Sequence, residues 1–313
     1  MDREKILQFI ENSPQRNIFC YPWWLEAVAP GRYQYIIAEK GKNIEAVLPV
    51  VIKEKLGQKQ VVMPPFTQYA GILFPKVKDK YVMQLSQQHL AMEALIEKLP
   101  VAIYINLKFH ISINNWLPFY WKGFSQTTRY TYLLNDIKDH EKLKLELHPK
   151  TKRAIFNSKV DFEVREIDDI DVLIALYIKT FKKQGITIKN SEIETIKRIY
   201  SVCRQRNQGQ LLAAIDAQNN VHSCQLFVWD DVMAYYLISG TDPEFLNSQA
   251  AYHVLWEGIK FCSQHVDQFN FEGSMIAGVE RFFRRFGAIQ TPYLNVYKFK
   301  PKWLGIARLL KEK

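Results

Sequence analysis

Phe269–Phe299, FNFEGSMIAGVERFFRRFGAIQTPYLNVYKF, decides the fold. It reads as strand, tight turn, amphipathic helix, strand. Val279, Phe282, Phe283 and Phe286 fall at i, i+3, i+4 and i+7, which puts them on one side of a helix. Arg281, Arg284 and Arg285 fall on the other side. The turn carries one acid, Glu272, beside Gly273 and Ser274. The stretch has a shadow earlier in the chain. Asn106 and Gly123 stand seventeen positions apart, as do Asn270 and Gly287. Each glycine is followed by x-x-Gln-Thr and a tyrosine-bearing strand. A site-like turn thus lies in one copy of a duplicated unit.

The elements around it extend the pattern. Upstream in the C-terminal half come a strand at Asp161–Glu166 and helices at Asp168–Gln184 and Ser191–Asn207, the second capped by Ser191 with Glu194 three residues on. A meander of Gln210–Asp216, Val221–Trp229 and Val232–Ser239 follows. Asn247-Ser248 then offer N-cap residues for a helix at Gln249–Cys262. The order is β-α-α-β-β-β-α-β-α-β. In the N-terminal half, strands are expected at Tyr33–Glu39, Ile44–Lys53 and Gln60–Met63. A proline-rich loop leads to a short apolar run at Gly71–Phe74. Then come a helix at Tyr81–Lys98, a strand at Val101–Lys108, a short helix at Asn114–Lys122 and a strand at Gln126–Leu134. These are two similar mixed α/β units in 313 residues, divided as 1–140 and 141–313.

Composition narrows the function. The formal net charge is +10, which favours polyanionic partners such as RNA, anionic lipid or phosphate-bearing substrates. Lys150, Lys152 and Arg153 stand in an acid-free stretch and are candidate polyanion contacts. The longest apolar run, Ala46–Ile52, is too short to span a bilayer, so no transmembrane segment is expected. The start, MDREKILQFIENS, lacks the apolar core of a signal peptide. Cys20, Cys203, Cys224 and Cys262 never form C-x-x-C and read as free thiols of a cytoplasmic protein. The chain has no G-x-S-x-G, H-E-x-x-H or G-x-G-x-x-G. Gly273 and Gly278 have phosphate-loop spacing, but Val279-Glu280 stands where Lys-Ser/Thr belongs. Seven dispersed histidines give no metal site.

The strand order is that of GCN5-related N-acyltransferases (GNAT). The residues Tyr235-Tyr236-x-x-Ser239-Gly240-x-Asp242-Pro243, Asn247–Trp256, Phe271-Glu272-Gly273-Ser274-Met275 and Val279-Glu280-Arg281-Phe282-Phe283-x-x-Phe286-Gly287 resemble the FemAB-like branch of that superfamily. So does Tyr177-x-x-Thr180-Phe181-x-Lys183-Gln184-Gly185. The resemblance covers roughly 150–299, and the first half in architecture alone. It implies an α/β protein of two tandem GNAT-like folds, each a mixed, mostly antiparallel sheet flanked by helices. It also implies an acyltransferase with no tightly bound cofactor and with aminoacyl-tRNA or acyl-CoA as co-substrate. Known members move an amino acid from aminoacyl-tRNA to the amine of a peptidoglycan precursor in cell-wall assembly. The acyl-CoA loop normally reads Gln/Arg-x-x-Gly-x-Gly/Ala. Here Glu244-Phe-Leu-Asn-Ser-Gln-Ala250 has no glycine, and aminoacyl-tRNA is the favoured donor.

Acyl transfer to an amine needs a base and stabilisation of the oxyanion. Glu272 is the candidate base, the alternative being a carboxylate that caps its turn. Tyr236 is the candidate acid, the alternative being a half-buried strand tyrosine. Ser239, Asn247, Ser248, Gln249, Ser274, Arg281, Arg284 and Arg285 are candidate donor contacts. Backbone N–H groups at 247–249 suit an anion at a helix N-terminus. Lys183, Gln184, Gln68 and Tyr69 are candidate contacts for a small-molecule or lipid-linked amine acceptor. Trp23 and Trp24 read as core residues. The tail Trp303–Lys313 reads as a short amphipathic helix suited to peripheral membrane contact. A duplicated acyltransferase fold kept as a non-catalytic RNA- or membrane-binding module is the competing reading.

Overall fold

A computed structural model describes residues 3–55, 57–157, 161–273 and 275–301. In chain order the helices and strands are α1 (Arg3–Asn12), α2 (Pro22–Val28), β1 (Tyr33–Lys40), β2 (Asn43–Lys55), β3 (Gln58–Val62), α3 (Tyr81–Glu97), β4 (Tyr104–Lys108), α4 (Leu117–Trp121) and β5 (Ser125–Asn135). They continue with α5 (His140–Glu146), α6 (Pro149–Phe156), β6 (Phe162–Ile167), α7 (Ile170–Lys182), α8 (Asn190–Gln205), β7 (Gly209–Asp216), β8 (Val221–Trp229), β9 (Ala234–Thr241), α9 (Ala250–Cys262), β10 (Gln268–Asn270), α10 (Ala277–Arg284) and β11 (Ile289–Phe299). The expected mixed α/β architecture is observed.

The chain forms two compact units, Met1–Arg129 with Pro292–Lys313, and Tyr130–Thr291. In the first, β1, β2 and β3 form an antiparallel meander, β3 pairs parallel with β4, and β11 pairs antiparallel with β4. In the second, β6, β7, β8 and β9 form the meander, β9 pairs parallel with β10, and β5 pairs antiparallel with β10. The two sheets follow one plan with one exchange. The strand after α4 closes the second sheet, and the strand after α10 closes the first. The duplicated glycines match in conformation as well: Gly123 and Gly287 end their helices at φ +76° and +79°.

Each unit has its own core. In the first, Leu48, Val50, Val61, Ile105, Leu107 and Val296 face α3, and Ile37 and Val47 face α1 from the opposite side of the sheet. Trp24 is buried, as expected, and Trp23 is half-buried. In the second, α9 lies across β7 and β8, and Val254, Leu255 and Ile259 pack on Phe227 and Trp229.

Two local expectations fail for physical reasons. The helix read at Ser191 begins one residue earlier, with Lys189 at the N-cap and no side-chain cap, so Ser191 and Glu194 form no capping box. The apolar run Gly71–Phe74 makes a single bridge, Val47 to Leu73. Val279 is 38% exposed, because α10 buries only its Phe283 side against the sheet and Phe286 reaches the core from beyond the helix end. The tail Trp303–Lys313 and Ser274 lie outside the described residues.

Gly258 marks the tightest joint of the second core. A Cβ there would stand 2.0 Å from Cζ of Phe227. Gly258→Ala gains roughly 1 kcal/mol of helix propensity but forces ring and helix apart, at about 1–3 kcal/mol. A net loss of stability, read as a lower urea midpoint with unchanged slope, is expected; an unchanged midpoint would contradict this packing.

Candidate functional site

In the second unit, β9 and β10 run side by side for only two residue pairs, Phe269 with Ala234 and Asn270 with Tyr235. Beyond them β9 continues to Thr241, while the chain after Asn270 turns away. Tyr236 and Glu272 stand just past this parting. A bulge at Leu237 shifts the β8–β9 register, from Phe227 opposite Tyr236 to Leu226 opposite Ile238. The bulge brings Tyr236 and Ser239 together, and Ser239 hydrogen-bonds the Tyr236 hydroxyl. The Tyr236 ring lies edge-on to Phe283, with centroids 5.7 Å apart. Burial pushes the Tyr236 hydroxyl up to about 12, with the Ser239 bond pulling the other way. The phenol is therefore neutral at physiological pH and able to donate.

Gln225, directly opposite Ser239, was not singled out from the sequence. It is fully buried. Its Nε2 donates to Ala251 O at 2.9 Å in the first turn of α9, and its Oε1 has no hydrogen-bond partner among the described residues. A fixed acceptor of this kind beside Ser239 suits an N–H or O–H of a bound molecule. The signal in the sequence is a lone amide inside an otherwise apolar strand, Cys224-Gln225-Leu226.

The turn after β10 is tightly built. Asn270 is completely buried, and its Oδ1 accepts from the Thr131 hydroxyl at 2.6 Å and from Glu272 N at 2.8 Å. Glu272 itself is left-handed, at φ +59°, and Gly273 follows at +64°. A Cβ on Gly273 would stand 2.1 Å from Tyr130 O, so only glycine fits. The Glu272 N–H donated to Asn270 Oδ1 holds this turn. Glu272 is half-buried at the mouth of the parting.

The arginines of α10 are not equivalent. Arg284 Nε donates to Glu280 Oε1 at 2.8 Å, and the same oxygen accepts from the Tyr132 hydroxyl at 2.9 Å. Arg281 is exposed and Arg285 half-buried. Arg285 O accepts from His148 N at 2.9 Å, and Gly287 lies close against Glu146. That contact seats the start of α6, with Lys150, Lys152 and Arg153, beside the end of α10. The structure thus joins two basic groups that are far apart in sequence.

The segment before α9 departs from expectation. Asn247 and Ser248 do not cap the helix from the N-cap position. They belong to a 3-10 turn, Pro243–Ser248, capped by Asp242, which accepts from Glu244 N at 3.1 Å. Gln249 is the N-cap, left-handed at φ +58°, and its side chain makes no capping bond. Ser248 Oγ instead meets Ala250 N at 3.4 Å. Phe245 stacks on the buried His222 ring at 4.0 Å, and Lys179 pairs with Asp242 at 2.5 Å. Burial pushes the Asp242 carboxyl up, but Lys179 and the Glu244 N–H outweigh this and hold it below its usual value. Lys183 and Gln184 are exposed at the end of α7.

The first unit has the matching parting and fills it. Here β3 and β4 pair at Gln60–Tyr104 and Val61–Ile105 only. The chain at 67–71 then plugs the gap: Ala70 N donates to Lys108 O at 3.2 Å, and His110 N donates to Gly71 O at 3.0 Å. Tyr69 is fully buried, edge-on to Phe19, His110 and Tyr293, and Gln68 is buried beside it. Neither presents a surface for an acceptor. Burial lowers His110 to about 4, so it stays neutral. Among the described residues no group of three His, Cys, Asp or Glu side chains is placed to hold a metal.

This two-fold repetition of meander, parallel pair and closing strand is the tandem GNAT fold. The tandem GNAT protein of the clavulanic acid biosynthesis pathway superposes with TM-score 0.55 at 8% identity, over 95% of this chain and 94% of its own. FemX superposes with TM-score 0.68 at 12% identity, over 94% and 96%. L-PGS from Bacillus licheniformis gives TM-score 0.52 at 11% identity, over 95% and 92%. No curated protein matches the sequence. Residues 189–304 match the FemAB family model. That match spans little more than a third of the chain, and the superposed structures share its tandem fold.

Gln225 provides a test of the site. Gln225→Leu removes the buried acceptor without removing bulk and is expected to leave the melting temperature within a few degrees, because an unpaired buried polar atom costs about 1–3 kcal/mol. Transfer activity should fall about tenfold or more on loss of one such bond to substrate. Unchanged activity would exclude Gln225 from the site.

Proposed function

We propose that the chain transfers an aminoacyl group from aminoacyl-tRNA to an amine, the acceptor being a lipid-linked cell-wall precursor. The observation that carries the reading is the composition of the second unit. The parting holds an acid and a neutral phenol, and the basic residues of α6 and α10 adjoin one another in the same unit. Lys150, Arg153 and Arg281 are exposed there, and such a surface suits a phosphate backbone.

The chemistry follows from the positions. Glu272 takes a proton from the acceptor ammonium, and the free amine attacks the ester carbon. The C–N bond forms and the tetrahedral oxyanion develops. Tyr236, still protonated, donates its proton to the departing ribose oxygen as the C–O bond breaks, and the phenolate so formed takes the second proton of the attacking nitrogen, which leaves a neutral amide and restores the phenol. Ser239 holds the phenol in place. An acyl-CoA donor is less well served. The loop 244–250 has no glycine, and its left-handed position is occupied by Gln249.

Filter binding of charged tRNA over a salt series tests the donor. Affinity should fall steeply with salt, and Lys150→Glu with Arg153→Glu should flatten the slope by about two phosphate contacts. Stabilisation by CoA with no tRNA binding would overturn the reading. Glu272→Gln is expected to lower kcat about 100-fold or more with a small change in KM, as for loss of a general base. Because burial pushes the Tyr236 hydroxyl up to about 12, no loss of activity at mildly alkaline pH should trace to it, and Tyr236→Phe should leave the shape of the profile there unchanged.

A further inference from the structure

In the first unit nine large hydrophobic side chains are exposed among the described residues, and all of them lie between Val77 and Trp121. Tyr81 is 77% exposed, Val82 62% and Leu90 65%. Val82, Met83 and Leu90 share the solvent side of α3, opposite the buried Ala91, Met92 and Leu95. His89 of α3 meets the ring of Trp121 at 5.5 Å, which brings the exposed Leu117, Tyr120 and Trp121 of α4 onto the same side. Exposed apolar side chains gathered on one side in this way mark a contact face.

Its charge is mainly positive at the end nearest the tyrosine. In Lys76-Val77-Lys78-Asp79-Lys80-Tyr81-Val82-Met83, three exposed lysines stand against one exposed acid, Asp79, and run into the apolar start of α3. The acids of α3, Glu93 and Glu97, lie at its other end. A crevice of about 160 Å³ lies beside the lysine run, with Lys76 and Val77 on its wall. Gln15, Gln84, Gln87 and Glu45 supply most of its polar lining.

We propose that this face of the first unit docks on an anionic lipid bilayer. Tyr81, Val82, Met83 and Trp121 enter the headgroup boundary, and Lys76, Lys78 and Lys80 contact the acidic lipid phosphates. The glutamine-lined crevice receives a polar headgroup. Aromatic and aliphatic side chains flanked at one end by lysine are residue types that settle at such an interface. A soluble protein partner would leave the three lysines facing an unspecified surface, whereas a bilayer of acidic lipid pairs with all of them. The proposal does not depend on acyl transfer, and its test uses no donor.

The test is co-sedimentation of the full chain with phosphatidylcholine vesicles, with and without about one third phosphatidylglycerol. Binding is expected only to the acidic vesicles and should weaken with salt. The triple variant Lys76→Glu, Lys78→Glu, Lys80→Glu should bind about tenfold less or worse. The pair Tyr81→Ser, Val82→Ser should also lose binding at unchanged melting temperature. Three outcomes would overturn the proposal: no binding to acidic vesicles, equal binding by wild type and the triple variant, or a dimer in solution that Val82→Ser with Leu90→Ser dissociates.

Discussion

One buried amide underlies the site. Asn270 Oδ1 receives a hydroxyl from β5 and an N–H from the turn that follows its own strand. Its position inside the sheet denies it water, so both bonds must be made there. An unmet buried group costs about 1–3 kcal/mol. The bonds pull the chain off the sheet after a three-residue strand, and that departure separates β10 from β9. Everything proposed for the second unit stands on this separation: the run of β9 past β10 from Tyr236 to Thr241, the position of Glu272 and the closeness of Gly273 to Tyr130.

The two units show how the same plan gives opposite results. Each has a meander, then a parallel pair that lasts two residues. In the first, the loop after β3 folds back into the gap and buries Tyr69 there. In the second, the strand ahead of the gap runs on, and the polar groups of Gln225, Tyr236 and Ser239 are grouped beside it. The proposed chemistry is placed in the second unit because the chain at 67–71 fills the matching gap of the first. The filled copy turns instead to its outer surface, where α3 and α4 leave apolar side chains uncovered.

Much of this was legible in the chain. The seventeen-residue spacing from asparagine to glycine announced the repeat, and the matching left-handed glycines are its physical basis. The meander and the order of the second half could be read from alternation and turn residues. Helix starts were harder. Ser191 and Asn247-Ser248 have the right chemistry for caps, but the neighbouring chain places other residues at the N-cap. Gln225 was hidden because a buried glutamine looks like any interruption in an apolar strand until its partners are known. The grouping of the α6 and α10 cations was equally hidden, since it rests on one backbone bond between residues 137 positions apart. The exchange of closing strands could not be read either, because β5 and β11 have similar patterns and either would fit either sheet.

That exchange has a consequence for how the protein is made. The pairing of β4 with β11 joins residues 104–108 to residues 295–299. A nascent chain emerging from the ribosome therefore has all the helices of its first unit long before it has the strand that completes that sheet. Until then the edge of β4 is open, with its backbone donors and acceptors unpaired. The second unit, by contrast, has every strand it needs once β10 has emerged. The segment 130–291 thus holds the unit that can finish first, and the first unit must wait for the residues of β11 that follow it.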